Sequence, residues 1–445
     1  MPIASSVLAV ENVLKLLYKK GVPNLSYNKQ ALLSKFAVDA TFTGEKMVMA
    51  LQGSNPQGFG SDFDRAFAHK DSAETFKRFE LFRVQHYGFA QVTGEVMRTA
   101  VDPGALVNVW RNRTQTLVRG MQNSAGRLIY GSGTGRIGKV LSTALVAGKT
   151  VITLDVAADV ANFEAGMFVV FYNADSFAAS YRNATSGATS LSFTNADMVR
   201  EVESVSRDIN AGTATVTLGG STYSNTATLT VGDIIVRDGD GIVPNGSSTS
   251  YDTNARAPAG IEQWIGGSLI GSQPVGDTLF GLNRAADKVR YGGQVYDATG
   301  RNMVEALQDL EANILFQGIG YPTAIVANPL DIGDLKKSAL SDVIRIPAQD
   351  PKQNLNFQDV VFVGQNGPIP FIQDPFCPRR KAYMLNLPTW SIKCAPGGMF
   401  QLVDWDSNTF LRLTDADQYQ SRFVSYYQIG CENPGSNGYL FNWGA

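Results

Sequence analysis

Residues 133–139 read Gly133-Thr134-Gly135-Arg136-Ile137-Gly138-Lys139, which satisfies G-x-G-x-x-G and G-x-x-x-x-G-K at once. The reading of this stretch decides the fold class. Set between a buried strand and a helix, it would cradle a phosphate and mark a doubly wound α/β enzyme. Its neighbours argue otherwise. Position 140 is Val, where a P-loop needs Ser or Thr for magnesium, and the preceding segment is polar and helix-patterned instead of a buried strand. Residues 140–147 are a short helix candidate at best before 150–154 turn to strand, so the dinucleotide version lacks its context too. The stretch reads as a glycine-rich turn by which the chain leaves a long helix. A nucleotide-binding P-loop or dinucleotide enzyme using Gly133 to Lys139 is the alternative.

Upstream, Asp102 and Pro103 open that helix, since Pro is tolerated in a first turn and an acid suits the positive end of the dipole. Leu106, Val109, Trp110, Leu117, Met121 and Leu128 follow at helical steps of three, four and seven, with Trp110 beside Val109. About 25 residues at 1.5 Å each give a rod of roughly 37 Å. Before it, residues 75–84 and 85–101 read as two long strands around His86 to Gly88, a hairpin that projects beyond a compact domain and is marginal unless it lies on something. Residues 52–64 are a Gly/Asn/Ser-rich loop presenting Phe59 and Phe63. At the start, Val7, Val10, Leu14 and Leu17 recur at helical spacing until Gly21 and Pro23.

Downstream, residues 151–240 carry short alternating strands, with Ala214, Val216 and Leu218 between threonines, and Ala227, Leu229 and Val231 likewise. This is a small all-β module, sandwich or barrel. Asn302 caps a helix striped by Val304, Leu307, Leu310, Ile314 and Leu315; residues 324–327 are a buried strand, and Asn328-Pro329 starts a helix to about Ala339. Residues 341–358 read as an exposed loop, and strand patterns run from 360 to the end. The fold class is α+β with a β insertion.

The 445 residues carry only 18% charged side chains and a net charge of -2, which excludes a chain-wide electrostatic clamp on nucleic acid. Charge is nevertheless segregated. Residues 65–140 hold 12 Lys and Arg against 5 acids, and residues 141–300 hold 9 against 16. Cys377, Cys394 and Cys431 form no paired spacing, and His69 and His86 are too few for a three-histidine zinc site. Neither histidine sits in a catalytic motif. Asp238/Asp240 and Asp404/Asp406 would share a strand face but lack a third acid or histidine at ligand spacing. No cofactor or metal is expected, and the apolar runs are far shorter than the ~18 residues a spanning helix needs. Glu11 inside the first apolar stretch, with Lys15, Lys19 and Lys20 after it, reverses the signal-peptide order, so synthesis inside the cell is expected.

The order of these parts resembles one family, the major capsid proteins of tailed bacteriophages with the Hong Kong 97-type fold. The resemblance rests on the N-terminal arm, the long hairpin, the helix ending in Tyr130-Gly131-Ser132-Gly133-Thr134-Gly135, and the insertion entered through Asn162-Phe163-Glu164-Ala165-Gly166-Met167. It continues through Gly281-Leu282-Asn283-Arg284, Asn328-Pro329, Gly367-Pro368-Ile369-Pro370, Asp374-Pro375-Phe376-Cys377-Pro378 and Tyr383-Met384-Leu385-Asn386.

The resemblance implies an arm over 1–50, an extended loop over 51–101, a peripheral domain with a spine helix over 102–150, and an insertion domain over 151–241. An axial domain over 242–390 and peripheral strands over 391–445 complete it. It implies a structural protein, not an enzyme, that forms hexamers and pentamers of an icosahedral shell around double-stranded DNA, located in the virion and assembled in the host cytoplasm. The partners implied are copies of itself, portal, scaffolding and decoration proteins, and packaged DNA contacted without sequence preference, with no membrane. An encapsulin-like compartment is the neighbouring alternative. Val7, Val10, Leu14 and Leu17 of the arm and Phe59, Phe63, Phe67, Phe76, Lys77, Arg78, Phe79 and Arg83 of the loop are the expected subunit contacts. Trp110, Arg111, Arg113 and Arg119 mark the spine helix. Lys70 or Lys77 with Asn408 has the chemistry for the cross-link of the founding member.

Overall fold

The computed structural model describes residues 31–95, 109–174, 182, 199–208, 211–219, 229–241, 256–266, 278–339, 361–403, 411–413 and 416–444. The arm with Val7, Val10, Leu14 and Leu17, the first helical turn at Asp102 to Leu106, the loop 341–358, and Ala227, Asp404, Asp406 and Asn408 lie outside them.

The strand Gln418–Cys431 organises one end of the chain. Along one edge it pairs antiparallel with Val84–Thr93 over ten residues, from Val84 opposite Tyr427 to Thr93 opposite Gln418. It also pairs with Trp390–Cys394, which takes Ala37–Asp39 as a parallel neighbour. The long helix, Val109–Leu128, lies across Val84–Thr93 at Gly88, where a Cβ would meet the Met121 sulfur at 2.5 Å. Gly88 is therefore a contact point inside a strand and not part of a turn.

That geometry corrects the expected hairpin. Thr75–Phe82 does not pair with the strand that follows it; it pairs with Lys46–Ser54, from Lys46 opposite Phe82 to Ser54 opposite Thr75. The physical reason is local. Only Arg83 separates the strands Thr75–Phe82 and Val84–Thr93, and no Gly, Asn or Asp pair is present there to reverse the chain. The turn-forming residues lie in the stretch between Ser54 and Thr75, which contains Asn55-Pro56, Gly58 and Gly60.

Past the glycine stretch, six strands close into a barrel in the order Ile234–Arg237, Arg136–Val146, Lys149–Leu154, Thr213–Leu218, Arg200–Asp208 and Phe168–Tyr172. Residues 140–146 are thus strand, not the short helix considered from sequence. They join Lys149–Leu154 through Ala147 and Gly148, both at positive φ, the two-residue turn whose twist matches a β-hairpin. Ile137, Val140, Ile152, Phe171, Val216 and Ile235 fill the interior.

The remaining unit is a six-stranded mixed sheet around Lys381–Leu385 and Ala324–Ala327, the latter buried along its whole length. The helix Met303–Phe316 starts where the Asn302 side chain accepts the Glu305 N–H at 2.9 Å. The helix Pro329–Ala339 starts at Asn328, whose side chain accepts the Leu330 N–H and donates to the Cys377 carbonyl. Trp264 links sheet and hairpin, with its indole N–H on the Ile429 carbonyl and Phe79 edge-on at 4.9 Å.

Candidate subunit interface

The residues singled out from sequence fall in three places: the glycine stretch, the polar groups near His86, and the hairpin. The glycine stretch is a turn. The helix ends at Leu128, Gly133 and Gly135 take positive φ, and Arg136 already belongs to a barrel strand. The register pairs Lys139 with Ile234 and Gly138 with Ile235. The second half of the motif is thus spent in a sheet ladder, and a strand follows where a phosphate cradle needs a helix N-terminus.

His86 lies near Asp240, with Nε2 4.0 Å from Oδ1, and Ser124 donates its hydroxyl to Oδ2 at 2.9 Å. The carboxylate stands between serine and histidine. A nucleophile–base pair needs the imidazole in that middle position, so the trio does not activate Ser124. Burial pulls the His86 imidazole below its ordinary range, Asp240 opposes this and Arg237 adds to it. Asp238 and Asp240 flank Gly239, at φ +93°, in the turn after Ile234–Arg237, so they do not share a strand face. The three cysteines are buried, and burial pushes the Cys431 thiol up to about 12. Among the described residues no helix is long and apolar enough to cross a membrane.

The hairpin differs from its foot to its tip. At the foot, Met49, Phe79 and Leu81 are core residues, the Glu80 N–H reaches the Phe280 carbonyl, and Arg290 donates to the Gly53 carbonyl. Beyond Gly53 little covers it. Phe59, Phe63, Phe67 and Phe76 are 72%, 78%, 54% and 65% exposed. The tip holds a short helix, Phe63–Ala68, capped by Asp62, and this helix buries none of its residues. Phe63 and Phe67 stack at 5.8 Å, and the Lys70 ammonium lies 4.0 Å from the Phe67 ring centre. The loop reading of residues 52–64 missed this helix; Asp62 before Phe63, with Phe67 at i,i+4 spacing, is the signal that points to it.

Of the expected loop contacts, Phe59, Phe63, Phe67, Phe76, Lys77 and Arg78 therefore lie on the exposed outer part. Arg78 pairs with Glu80 at 2.9 Å, which Lys46 also holds. Phe79 and Arg83 do not belong with them. Phe79 points inward because strand side chains alternate, and it is fully buried. Arg83 donates to the Phe42 and Gly44 carbonyls with its guanidinium over the Phe42 ring, clamping the hairpin's base. On the long helix, Arg113 donates to the Gln91 carbonyl, tying helix to strand, and Arg119 is half-buried; the side chains of Trp110 and Arg111 lie outside the described residues.

Among solved structures, 99% of the chain aligns with a capsid subunit of cyanophage A-1(L), covering 100% of that chain at 10% identity with a TM-score of 0.47. It aligns with the SrpI encapsulin of Synechococcus elongatus PCC 7942, covering 95% of that chain at 8% identity with a TM-score of 0.46. It also aligns with a capsid chain of a native GTA particle, covering 100% of that chain at 8% identity with a TM-score of 0.45. No family model matches the chain, and no curated protein does.

Proposed function

We propose that the chain is the shell-forming subunit of a tailed-bacteriophage head with the Hong Kong 97-type fold. The observation that carries this reading is the hairpin. Its foot is core, yet its outer half presents four exposed phenylalanines on a segment that buries none of its own helix. An isolated two-stranded ribbon is marginal in water, and four exposed phenylalanines on its outer part, two of them stacked, call for a partner surface. The partner is the next copy of the same chain. A contact from the hairpin of one subunit to a different surface of the next is heterologous, and such contacts close into rings when the rotation closes. Hexamers and pentamers of an icosahedral shell are those rings.

In this reading the hairpin Lys46–Ser54 with Thr75–Phe82 is the extended loop, Val109–Leu128 the spine, the barrel the insertion domain, and the mixed sheet the axial domain. The chain works as a structural protein in the virion, assembled in the host cytoplasm around double-stranded DNA. Portal, scaffolding and decoration proteins are its further partners. The excess of basic residues over 65–140 and of acidic residues over 141–300 steers assembly more than it adds affinity. Replacing Phe63 and Phe67 together by Ser tests the reading by sedimentation. Capsomers are expected from the native chain and monomers from the variant; a variant that assembles normally contradicts the assignment of the tip.

A further inference from the structure

Where the long helix ends, a cavity of ≈ 110 Å³ opens between three units of the fold. Arg127 lines it from the helix, Arg136 and Asp159 from the barrel, and Glu262, Arg379 and Lys381 from the side of the mixed sheet. Four cations thus face two acids across one small space. Their pairing is uneven. Lys381 holds Glu262 at 2.6 Å, and Glu262 also accepts the Tyr383 hydroxyl. Arg379 is turned to Asp331 at 3.2 Å and to Asp334. Arg127 is only 8% exposed, yet it reaches the exposed Glu164 with a single Nη at 3.4 Å, and its Nε has no hydrogen-bond partner. The Asp159 carboxylate accepts no hydrogen bond among the described residues.

We propose that this cavity is a site for a small oxyanion of the sulfate or phosphate type, held by Arg127 and Arg136 on one side and Lys381 on the other, with Asp159 controlling entry. The ionised carboxylate repels the anion, and the protonated one donates a hydrogen bond to it. A bound oxyanion bridges helix, barrel and mixed sheet, because each of its three cations comes from a different unit. The buried Arg127 Nε, which otherwise carries an uncompensated desolvation cost, gains an acceptor.

The charges around Asp159 set the pH response. Burial pushes its carboxyl up to about 6, against the pull of Arg136 and Lys381 and with the help of Asp155. Glu262 is held by its own partners, and Arg127 and Arg379 are the other cations lining the space. If only the protonated form admits the anion, apparent affinity scales with the protonated fraction, which falls more than tenfold between about pH 5.5 and 7.5. Anion binding therefore takes up a proton.

Titration calorimetry of the full chain with sodium sulfate tests this, with chloride holding ionic strength constant and sulfate remaining a dianion throughout. Saturable one-to-one binding is expected, more than about tenfold tighter at pH 5.5 than at 7.5. Asp159→Asn, nearly isosteric, binds at pH 7.5 as the native chain does at pH 5.5. Arg127→Gln weakens binding at both, with circular dichroism checking its fold. A titration with a short single-stranded oligonucleotide separates sources, since a free ion predicts no competition with sulfate. No saturable heat, equal affinity at both pH values, an unchanged pH dependence in Asp159→Asn, or displacement of sulfate by the oligonucleotide would each overturn the proposal. The site is independent of shell assembly, so its failure leaves the proposed function standing.

Discussion

A Cβ placed on Gly135 would stand 2.2 Å from the carbonyl oxygen of Asp240. The turn that ends the long helix is thus packed against the turn that ends the barrel's last strand, and the glycine is required by that approach and by its φ of +79°. The same glycine that completes a nucleotide-binding pattern in the sequence is spent on joining two units.

Gly135→Ala is expected to destabilise the chain by roughly 3 kcal/mol, since the strained backbone and the collision add. Lys139→Ala should change stability by no more than about 0.5 kcal/mol. Urea unfolding of the two variants separates a structural turn from a phosphate cradle, which would predict the reverse order of importance in nucleotide binding.

Phe79 and Phe63 lie on one hairpin and should behave oppositely. Phe79→Ala removes a ring packed on Trp264 and should cost about 3–5 kcal/mol. Phe63→Ser should leave subunit stability within about 0.5 kcal/mol and reduce association. Denaturation midpoints and sedimentation profiles of both variants give the comparison directly.

The alternation around Phe79 also shows what the sequence carries and what it does not. Local signals were sufficient for the helix cap at Asn302 and the Asn328-Pro329 start, which near neighbours set, and for the extended conformation of Ala324 to Ala327 and of the β-module strands, which apolar runs and alternation set. The partner of Thr75–Phe82 was not legible. Strand propensity says that a segment is extended but not which segment lies beside it, and the strand beside Val84–Thr93 comes more than 300 residues later, at Gln418–Cys431. The exposed tip was legible through its phenylalanines. Which of them face inward depended on register, which composition does not encode.

Two partly buried groups should give opposite pH responses. His86 has its folded pKa lowered by burial, so the unfolded chain protonates first as pH falls, and its contribution to stability is lost below about 6.5. Asp159 has its folded pKa raised to about 6 from 3.8, so the folded chain protonates first and stability is gained as pH falls through that window. Melting temperature across pH 4–8 should fall less steeply on acidification in His86→Gln and more steeply in Asp159→Asn than in the native chain.

Charge steering has a kinetic signature. Replacing Lys77 and Arg78 by Glu should slow capsomer formation on the order of tenfold at low salt, and the difference should fade near 0.5 M salt as charges are screened. Light scattering during assembly follows both limbs. An association rate insensitive to salt and to the reversal would remove electrostatic steering from the account.

If each hairpin tip seats on a neighbouring copy, this chain builds a closed shell from copies of itself. Electron microscopy of the expressed full-length protein addresses it most directly. Closed particles, or rings of six and five subunits in which each hairpin tip lies on a neighbour, are the predicted result. A monodisperse monomer at high concentration, with Phe59, Phe63, Phe67 and Phe76 facing solvent, would contradict it.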